Sequence, residues 1–234
     1  MGGIEREEKG MGIYRYETHL HTSEASACAI VNGKEQARRY KEAGYAGIIV
    51  TDHFFNGNTC IPASLPWEKR VDLFRRGFEN AKEEGERIGL SVFFGWEAKY
   101  GSQEFLIYGL DIAWLKEHPE IMSWSIEEQY RNVNEAGGLV VHAHPFRERP
   151  YIKEIRLFPE AVHAAEVMNI GNGNKIFDEK ATKYAKQHNL IMTAGTDSHG
   201  FEEKRSGMMF QHRLADIHDF IQSVKSGEYE LIKY

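Results

Sequence analysis

The chain has 234 residues, of which 35 are acidic and 29 basic, for a formal net charge of −6. This mildly acidic balance argues against a protein that binds a nucleic-acid backbone through a basic surface. Two cysteines exclude a disulfide framework and favour free thiols in a reducing cytoplasm, and no apolar run approaches the ~20 residues of a membrane span.

The predicted elements are short and alternate along the chain. The first twelve residues are charged and glycine-rich, so we expect a loose tail over 1–12 and a single domain over 13–234. Nine apolar runs have the character of strands: 13–20, 46–52, 90–97, 104–110, 138–144, 164–170, 190–197, 207–213 and 229–232. Five helical patterns fall between them: 34–43, 67–88, 125–136, 174–188 and 216–226.

Alternating strands and helices predict an α/β protein whose mostly parallel sheet is covered by helices on both faces. With this many units, we expect a closed or nearly closed barrel, and an open doubly wound sheet is the structural alternative. In both architectures the carboxyl ends of parallel strands share one edge, where functional sites are usually built.

Residue types that bind metals gather at the predicted carboxyl ends of the strands. Six of the eleven histidines lie there, together with a glutamate and two aspartates. The motifs are His19-Leu20-His21, Thr51-Asp52-His53, Gly95-Trp96-Glu97, His142-Ala143-His144-Pro145 and Gly195-Thr196-Asp197-Ser198-His199. Side chains two apart on a strand point to the same face, so we expect each His-x-His or Asp-x-His pair to aim two ligands at one point.

Imidazole and carboxylate ligands without a thiolate suit Zn, Mn or Fe(II). The motifs offer more donors than one tetrahedral ion uses, which favours two or more ions bridged by a carboxylate such as Glu97. His142 is a candidate extra ligand, with support of His144 from behind as the alternative role. The remaining histidines are expected to be surface or core residues: His118, His163, His188, His212 and His218.

Taken together over residues 19–199, these motifs resemble those of the PHP family (polymerase and histidinol phosphatase). The resemblance implies a distorted (β/α)7 barrel, two or three divalent metal ions and phosphoester hydrolysis. Position by position, it implies these metal ligands: His19, His21, His53, Glu97, His144, Asp197 and His199. In this assignment Glu97 bridges the first ion to a second ion at His144, and His53 and His199 face a third.

Two positions depart from the family's pattern. The family usually has Asp or His seven or eight residues after the first histidine, where this chain has Ser26 and Ala27, with Glu24 as a weaker substitute. A histidine that often follows the glutamate motif is replaced here by Glu104, which becomes a candidate extra ligand. Both a dinuclear and a trinuclear site are therefore open.

The expected reaction is hydrolysis of a small phosphate ester, such as histidinol phosphate or a nucleotide, by a metal-activated water. His144 or His199 would pass a proton to the leaving oxygen. Arg147 and Arg205 follow two of the motifs and are candidates to bind the phosphate, since a guanidinium donates two hydrogen bonds at once. Asn169, at the end of another strand, is a further candidate for this pocket.

Two other functions fit the same residues. Amidohydrolase-type metal hydrolases also open with His-x-His and close with Asp, and they commonly bridge their metals through a carbamylated lysine, for which Lys99 is nearby. The second alternative is a metal-holding accessory domain without catalysis. Turnover of phosphate esters but not of amides or lactones would separate the first alternative from a phosphoesterase.

Overall fold

The computed structural model describes residues 12–150 and 152–234, so the predicted tail lies, apart from Gly12, outside the described residues. All nine predicted strands are present: β1 (Tyr14–Leu20), β2 (Gly47–Val50), β3 (Ser91–Tyr100), β4 (Gln103–Tyr108), β5 (Leu139–Ala143), β6 (Ala164–Asn169), β7 (Ile191–Gly195), β8 (Met208–Phe210) and β9 (Glu230–Leu231). Near-continuous burial along β2, β4 and β5 explains why their sequences are apolar without alternation.

The helices follow the predicted pattern with two differences. They are α1 (Gly33–Glu42), α2 (Trp67–Phe74), α3 (Arg76–Ile88), α4 (Ile112–Glu117), α5 (Ile126–Glu135), α6 (Lys175–Gln187) and α7 (Ile217–Ser226). The helix predicted over 67–88 is divided at Arg75 into α2 and α3. The six-residue α4, too short to show a helical period, begins where the Asp111 side chain accepts a hydrogen bond from Trp114 N.

The strands form one mixed sheet in the order β7-β6-β5-β4-β3-β2-β1-β8-β9. The prediction of a mostly parallel sheet is wrong within the described residues, because four of the eight strand pairs are antiparallel. The main reason is the connection between β3 and β4, which is a tight turn at Gly101 rather than a helix. A short turn can join only antiparallel neighbours.

The sheet curls until β1 meets β7, which produces a nearly closed barrel of seven strands. The first half of β1 pairs with β8 through Tyr14 to Tyr16. Beyond it, Thr18 Oγ1 donates to Ala194 O at 2.7 Å, and Asp197 N donates to His19 O at 2.8 Å. The distorted barrel is confirmed, and the open doubly wound sheet is excluded.

Apolar side chains fill the lower part of the barrel, among them Tyr16, Ile49, Leu106 and Val141. Further apolar clusters lie between the sheet and its helices, so the polar motifs are left at the end of the barrel where β1, β2 and β5–β7 finish. Among the helices of the described ranges, none has both the length and the apolar character needed to span a membrane.

Candidate metal centre

The predicted ligands converge at the carboxyl-end opening of the barrel, where five of the seven line a cavity of about 600 Å³. Strands β1 and β3 and the segments that follow β1, β2, β5 and β7 carry the ligands there, although these elements are far apart in sequence. All seven are buried apart from His199, whose side chain is 28% exposed. Cys28, Asn56, Asn58, Lys99 and Arg147 complete much of the cavity wall.

The first group of donors consists of His19, His21, Glu97 and Asp197. His19 Nε2 lies 3.2 Å from Glu97 Oε1 and 3.4 Å from Asp197 Oδ1. His21 Nε2 lies 3.2 Å from Asp197 Oδ1 and 3.7 Å from Glu97 Oε2. Ligand atoms bound to one tetrahedral ion at ~2.0–2.2 Å are about 3.3–3.6 Å apart. The spacing of this group therefore fits one divalent ion.

Several of these donor atoms are buried without a hydrogen-bond partner. Within residues 12–150 and 152–234, His19 Nε2, His21 Nε2, His53 Nδ1 and Glu97 Oε2 form no hydrogen bond of acceptable geometry. An unpaired polar atom in a protein interior costs about 1–3 kcal/mol, so such atoms are rare. A cation bound between His19, His21 and Glu97 would satisfy three of these atoms, and the donor set is that of a divalent metal.

Glu97 lies between two groups of donors. Its Oε1 is also 3.2 Å from His144 Nε2, and its Oε2 is 2.7 Å from His53 Nδ1. Glu104 Oε2 is 3.6 Å from His144 Nε2, so the structure brings this candidate extra ligand to the second group. A carboxylate whose oxygens face separate sets of imidazoles has the arrangement of a bridging ligand.

A third group contains His21, His53 and His199, whose nearest ring nitrogens all lie within 4.8 Å of one another. His53 Nε2 and His199 Nε2 are 3.4 Å apart. The other nitrogen of His199, Nδ1, lies 3.0 Å from the backbone oxygen of Asp197, which directs Nε2 toward His53. The Cys28 thiol, which the sequence patterns left outside the site, contacts both rings.

Electrostatics favour the ligand forms of Glu97 and His21. For His19 and His53, burial lowers the pKa, but nearby carboxylates outweigh burial, raise the pKa and so favour the protonated forms until a cation replaces the proton. Burial raises the pKa of Glu97, but the adjacent His19 and His53 outweigh this effect and hold that pKa well below its usual range. Burial and the neighbouring imidazoles lower the pKa of His21 well below its usual value. The carboxylate is thus ionised and the imidazole neutral, as metal coordination requires.

Glu166, on β6, contacts three residues of the site and belongs to none of the predicted motifs. Its Oε1 is 3.0 Å from His19 Nδ1, and its Oε2 accepts hydrogen bonds from Asn169 Nδ2 at 2.7 Å and from His144 N at 3.1 Å. A carboxylate behind a metal-binding histidine fixes its tautomer and orientation. The sequence signal was a charged residue inside the apolar run AAEVMN.

Glu17, on β1, fixes the backbone around the site by accepting hydrogen bonds from main-chain amides. Its Oε1 accepts from the amides of Thr18, His19 and Thr196, and its Oε2 accepts from Tyr40 Oη at 2.8 Å. Burial raises the pKa of Glu17 to about 7 despite these hydrogen bonds. Its signal in the sequence was a charged residue two positions before His19.

Ser26 occupies the first position that departs from the family's pattern, and it acts as a hydrogen-bonding hub. Its Oγ donates to Asp52 Oδ1 at 2.7 Å, accepts from His53 N at 3.0 Å and lies 3.3 Å from His21 Nδ1. The same aspartate accepts from Thr22 N and Thr22 Oγ1. Ser26 and Asp52 therefore orient two of the histidines instead of facing the cavity.

The expectation that His142 and His144 share one face is wrong. Strand β5 ends at Ala143, and His144 has a backbone φ of 30°, so the alternation of side chains stops between them. His142 points out of the barrel, where its ring stacks on Phe105 at 4.9 Å. Burial lowers the pKa of His142 to about 3, and its ring is separated from the donor groups by the sheet. His142 is neither a ligand nor a hydrogen-bonding support of His144.

Two predicted ligands have left-handed backbones that residues other than glycine rarely adopt. The φ angles are 30° for His144 and 59° for Asp197. Such conformations cost about 1–3 kcal/mol and concentrate at functional sites. Both residues line the cavity at the end of the barrel.

The two candidate arginines differ in position. Arg147 lines the cavity, and its Nη2 donates to Asp197 Oδ2 at 2.6 Å and to Asn169 Oδ1 at 2.9 Å. Its Nε donates to Asn172 Oδ1 at 3.0 Å. Burial raises the pKa of Asp197, but His19 and Arg147 outweigh it and hold that pKa well below its usual range.

The structure does not bring Arg205 to the cavity. The loop after His199 turns back along α1, and the Arg205 guanidinium lies 5.4 Å from the ring centroid of Tyr40. Arg205 is not among the residues that line the cavity in the described part of the chain. Its expected role in binding phosphate is therefore not supported by its position.

No protein-family model matches the chain, and no curated protein matches it significantly. Solved structures do. A two-domain protein from Bacteroides vulgatus that contains a predicted PHP-like metal-dependent phosphoesterase is 16% identical, with a TM-score of 0.70 over 100% of this chain and 70% of that chain. A protein from Bifidobacterium adolescentis assigned as a metal-dependent phosphoesterase is 17% identical, with a TM-score of 0.54 over 82% of this chain and 90% of that chain.

An amidohydrolase from Chromobacterium violaceum, solved with bound sulfate and no metal, is also similar. It is 17% identical, with a TM-score of 0.56 over 82% of this chain and 90% of that chain. At these identities the likeness establishes the fold. The chain therefore has a PHP-like barrel, as the resemblance of its motifs implied.

Proposed function

We propose that this protein is a metal-dependent hydrolase that cleaves a small phosphate ester. The observation that carries the proposal is the position of Glu97 between two groups of buried donors, of which the first includes unpaired atoms, in a cavity that Arg147 also lines. The PHP-like neighbours assigned as metal-dependent phosphoesterases support the same chemistry. A cavity of about 600 Å³ has the size of a small-molecule site, and we place the reaction in the cytoplasm.

The proposed ligands of the first ion are His19, His21, Glu97 and Asp197. Glu97 would also serve a second ion with His144 and Glu104, and His53 and His199 would hold a third. Zn, Mn and Fe all suit such a donor set. When bound, these ions supply an activated water and neutralise charge on the phosphoryl oxygens.

The cavity wall supplies the remaining functions. Arg147 is held by Asp197, Asn169 and Asn172, so its guanidinium is preorganised to contact an anion without losing side-chain entropy. His144 and His199 both line the cavity. Either can protonate the leaving oxygen only while its ring nitrogen is not coordinating an ion.

The experiment that tests this function is a substrate panel on protein loaded separately with Zn, Mn or Fe(II). We expect phosphate release from p-nitrophenyl phosphate and from several small phosphomonoesters, and no turnover of amides or lactones. Amides and lactones are included because one of the similar structures is an amidohydrolase. Lys99 Nζ is 2.9 Å from Glu104 Oε1, and our proposal assigns the bridging role to Glu97 instead of a modified lysine. Amide or lactone turnover without phosphate release would overturn the proposal.

The role of Arg147 can be tested without removing its charge. We expect Arg147→Lys to raise KM for a phosphomonoester about tenfold, because lysine keeps a positive charge beside Asp197 but loses the two-pronged donor geometry. The effect on kcat should be smaller. Steady-state kinetics on metal-loaded protein measure both constants.

Arg205→Lys is the matched control, because Arg205 lies outside the cavity. Its kinetics should equal those of the unmodified protein. Equal kinetics for both variants would remove Arg147 from the proposed substrate site.

A further inference from the structure

We propose that Cys28 is a metal ligand, and that its thiolate completes a zinc site with His53 and His199 at the mouth of the cavity. This inference deepens the proposed function, since it names a ligand and a metal for the third group of donors. The cysteine lies in the turn-rich segment between β1 and α1. Sequence patterns alone gave this residue only the role of a free thiol.

Because His21 is assigned to the first ion, the third ion has only two histidine ligands, His53 and His199, and needs at least one more. His53 Nε2 and His199 Nε2 are 3.4 Å apart, which is the spacing of two nitrogens on one tetrahedral ion. Ser26 does not supply the missing ligand, because its Oγ accepts a hydrogen bond from His53 N and faces His21 Nδ1 while its proton is donated to Asp52. The thiol of Cys28 contacts both imidazoles and borders the same cavity.

The arrangement of the ring nitrogens also indicates a cation at this position. His21 Nε2 is assigned to the first ion, which leaves His53 Nε2 and His199 Nε2 facing one another at 3.4 Å. A cation between these two rings would bind both nitrogens. Without one, several ring nitrogens face one another at short range with few protons to share.

The environment of Cys28 suits coordination. Its thiol hydrogen-bonds with His199 and His53, so it lies beside both imidazoles. Binding a metal releases the thiol proton and leaves a thiolate. Thiolate with two imidazoles favours Zn²⁺ or Co²⁺ over Mn²⁺, which prefers oxygen ligands.

The chain contains its own control, because its other cysteine, Cys60, is also an exposed free thiol. Cys60 Sγ lies 3.4 Å from Glu24 O, and Cys60 is not among the residues that line the cavity in the described ranges.

Metal-depleted protein is incubated with Zn²⁺, with Mn²⁺ or with no metal and then treated with iodoacetamide. Peptide mass spectrometry gives the alkylation rate of each cysteine. We expect Zn²⁺ to slow alkylation of Cys28 by about tenfold or more, and Mn²⁺ to have little effect. Cys60 should react equally in all three samples.

A second measurement follows Co²⁺ binding in the near ultraviolet, where thiolate-to-cobalt charge transfer absorbs. The band should be present in Cys60→Ser, and it should be absent in Cys28→Ser, which should also bind one ion fewer per chain. Cys28→Asp should restore the ion without the band. Unchanged alkylation of Cys28 in protein that retains its other zinc ions would overturn the inference. That outcome is distinguishable from failure of the proposed function, because phosphate release from the same samples is measured separately.

Discussion

Glu97→Gln is expected to remove most of the bound metal and to lower phosphate-ester hydrolysis by more than about a hundredfold. Losses of 10–100-fold are typical when only a residue behind a metal ligand is changed, and Glu97 contacts the donor atoms directly. Four imidazoles lie within 3.7 Å of its carboxylate: His19, His21, His53 and His144. A neutral amide neither balances the charge of two ions nor offers two equivalent oxygens to them.

The measurements are metal content per chain by mass spectrometry and the rate of phosphate release. Glu83→Gln is the matched control, because the Glu83 side chain is 71% exposed and pairs with Lys34 on the surface. It should leave both quantities unchanged. Full metal content and activity in Glu97→Gln would remove the bridging carboxylate from the proposal.

Glu166→Gln is expected to weaken metal binding by about 10–100-fold although Glu166 itself binds no ion. The carboxylate accepts from Asn169 Nδ2 and His144 N on one oxygen and faces His19 Nδ1 with the other. A glutamine must turn its NH2 toward one of these sides. Either a donor then meets a donor, or His19 loses the acceptor that fixes its tautomer.

Competition with a chromogenic chelator gives the metal affinity, and thermal unfolding of metal-depleted protein reports any general loss of stability. The control is Glu179→Gln, on the exposed face of α6. If Glu166 positions His19, the variant should lose more metal affinity than any change in the stability of the metal-depleted protein explains. Equal affinities in the variant and the unmodified protein would show that His19 needs no carboxylate behind it.

Much of the architecture could be predicted because burial determines local composition. Strands such as Gly47–Val50 and Leu139–Ala143 are buried along their whole length, and their apolar sequences reveal them. The direction of pairing was harder to predict. The turn between Tyr100 and Gln103 makes β4 antiparallel to β3, and β4 also pairs antiparallel with β5; a strand's composition carries neither direction.

The candidate site also contains residues that the sequence could predict and residues that it could not. The motif residues that end strands converge, because parallel strands bring their carboxyl ends to one edge. The supporting residues could not be found in this way, since Glu166 is 147 positions from His19 and meets it only through the closure of the barrel. The error over His142 has a local cause, because the strand period fails where His144 adopts a positive φ.

The meeting of β1 and β7 has a consequence for stability. The two strands are joined there by few main-chain hydrogen bonds, including Asp197 N to His19 O and His21 N to Ser198 O. The first group of donors spans the same junction, with histidines on one side and Asp197 on the other. An ion held there would link β1 to the segment after β7 and so help to close the barrel. Folding and metal loading would then be thermodynamically linked, so that chelators would lower the unfolding temperature in proportion to the free energy of ion binding.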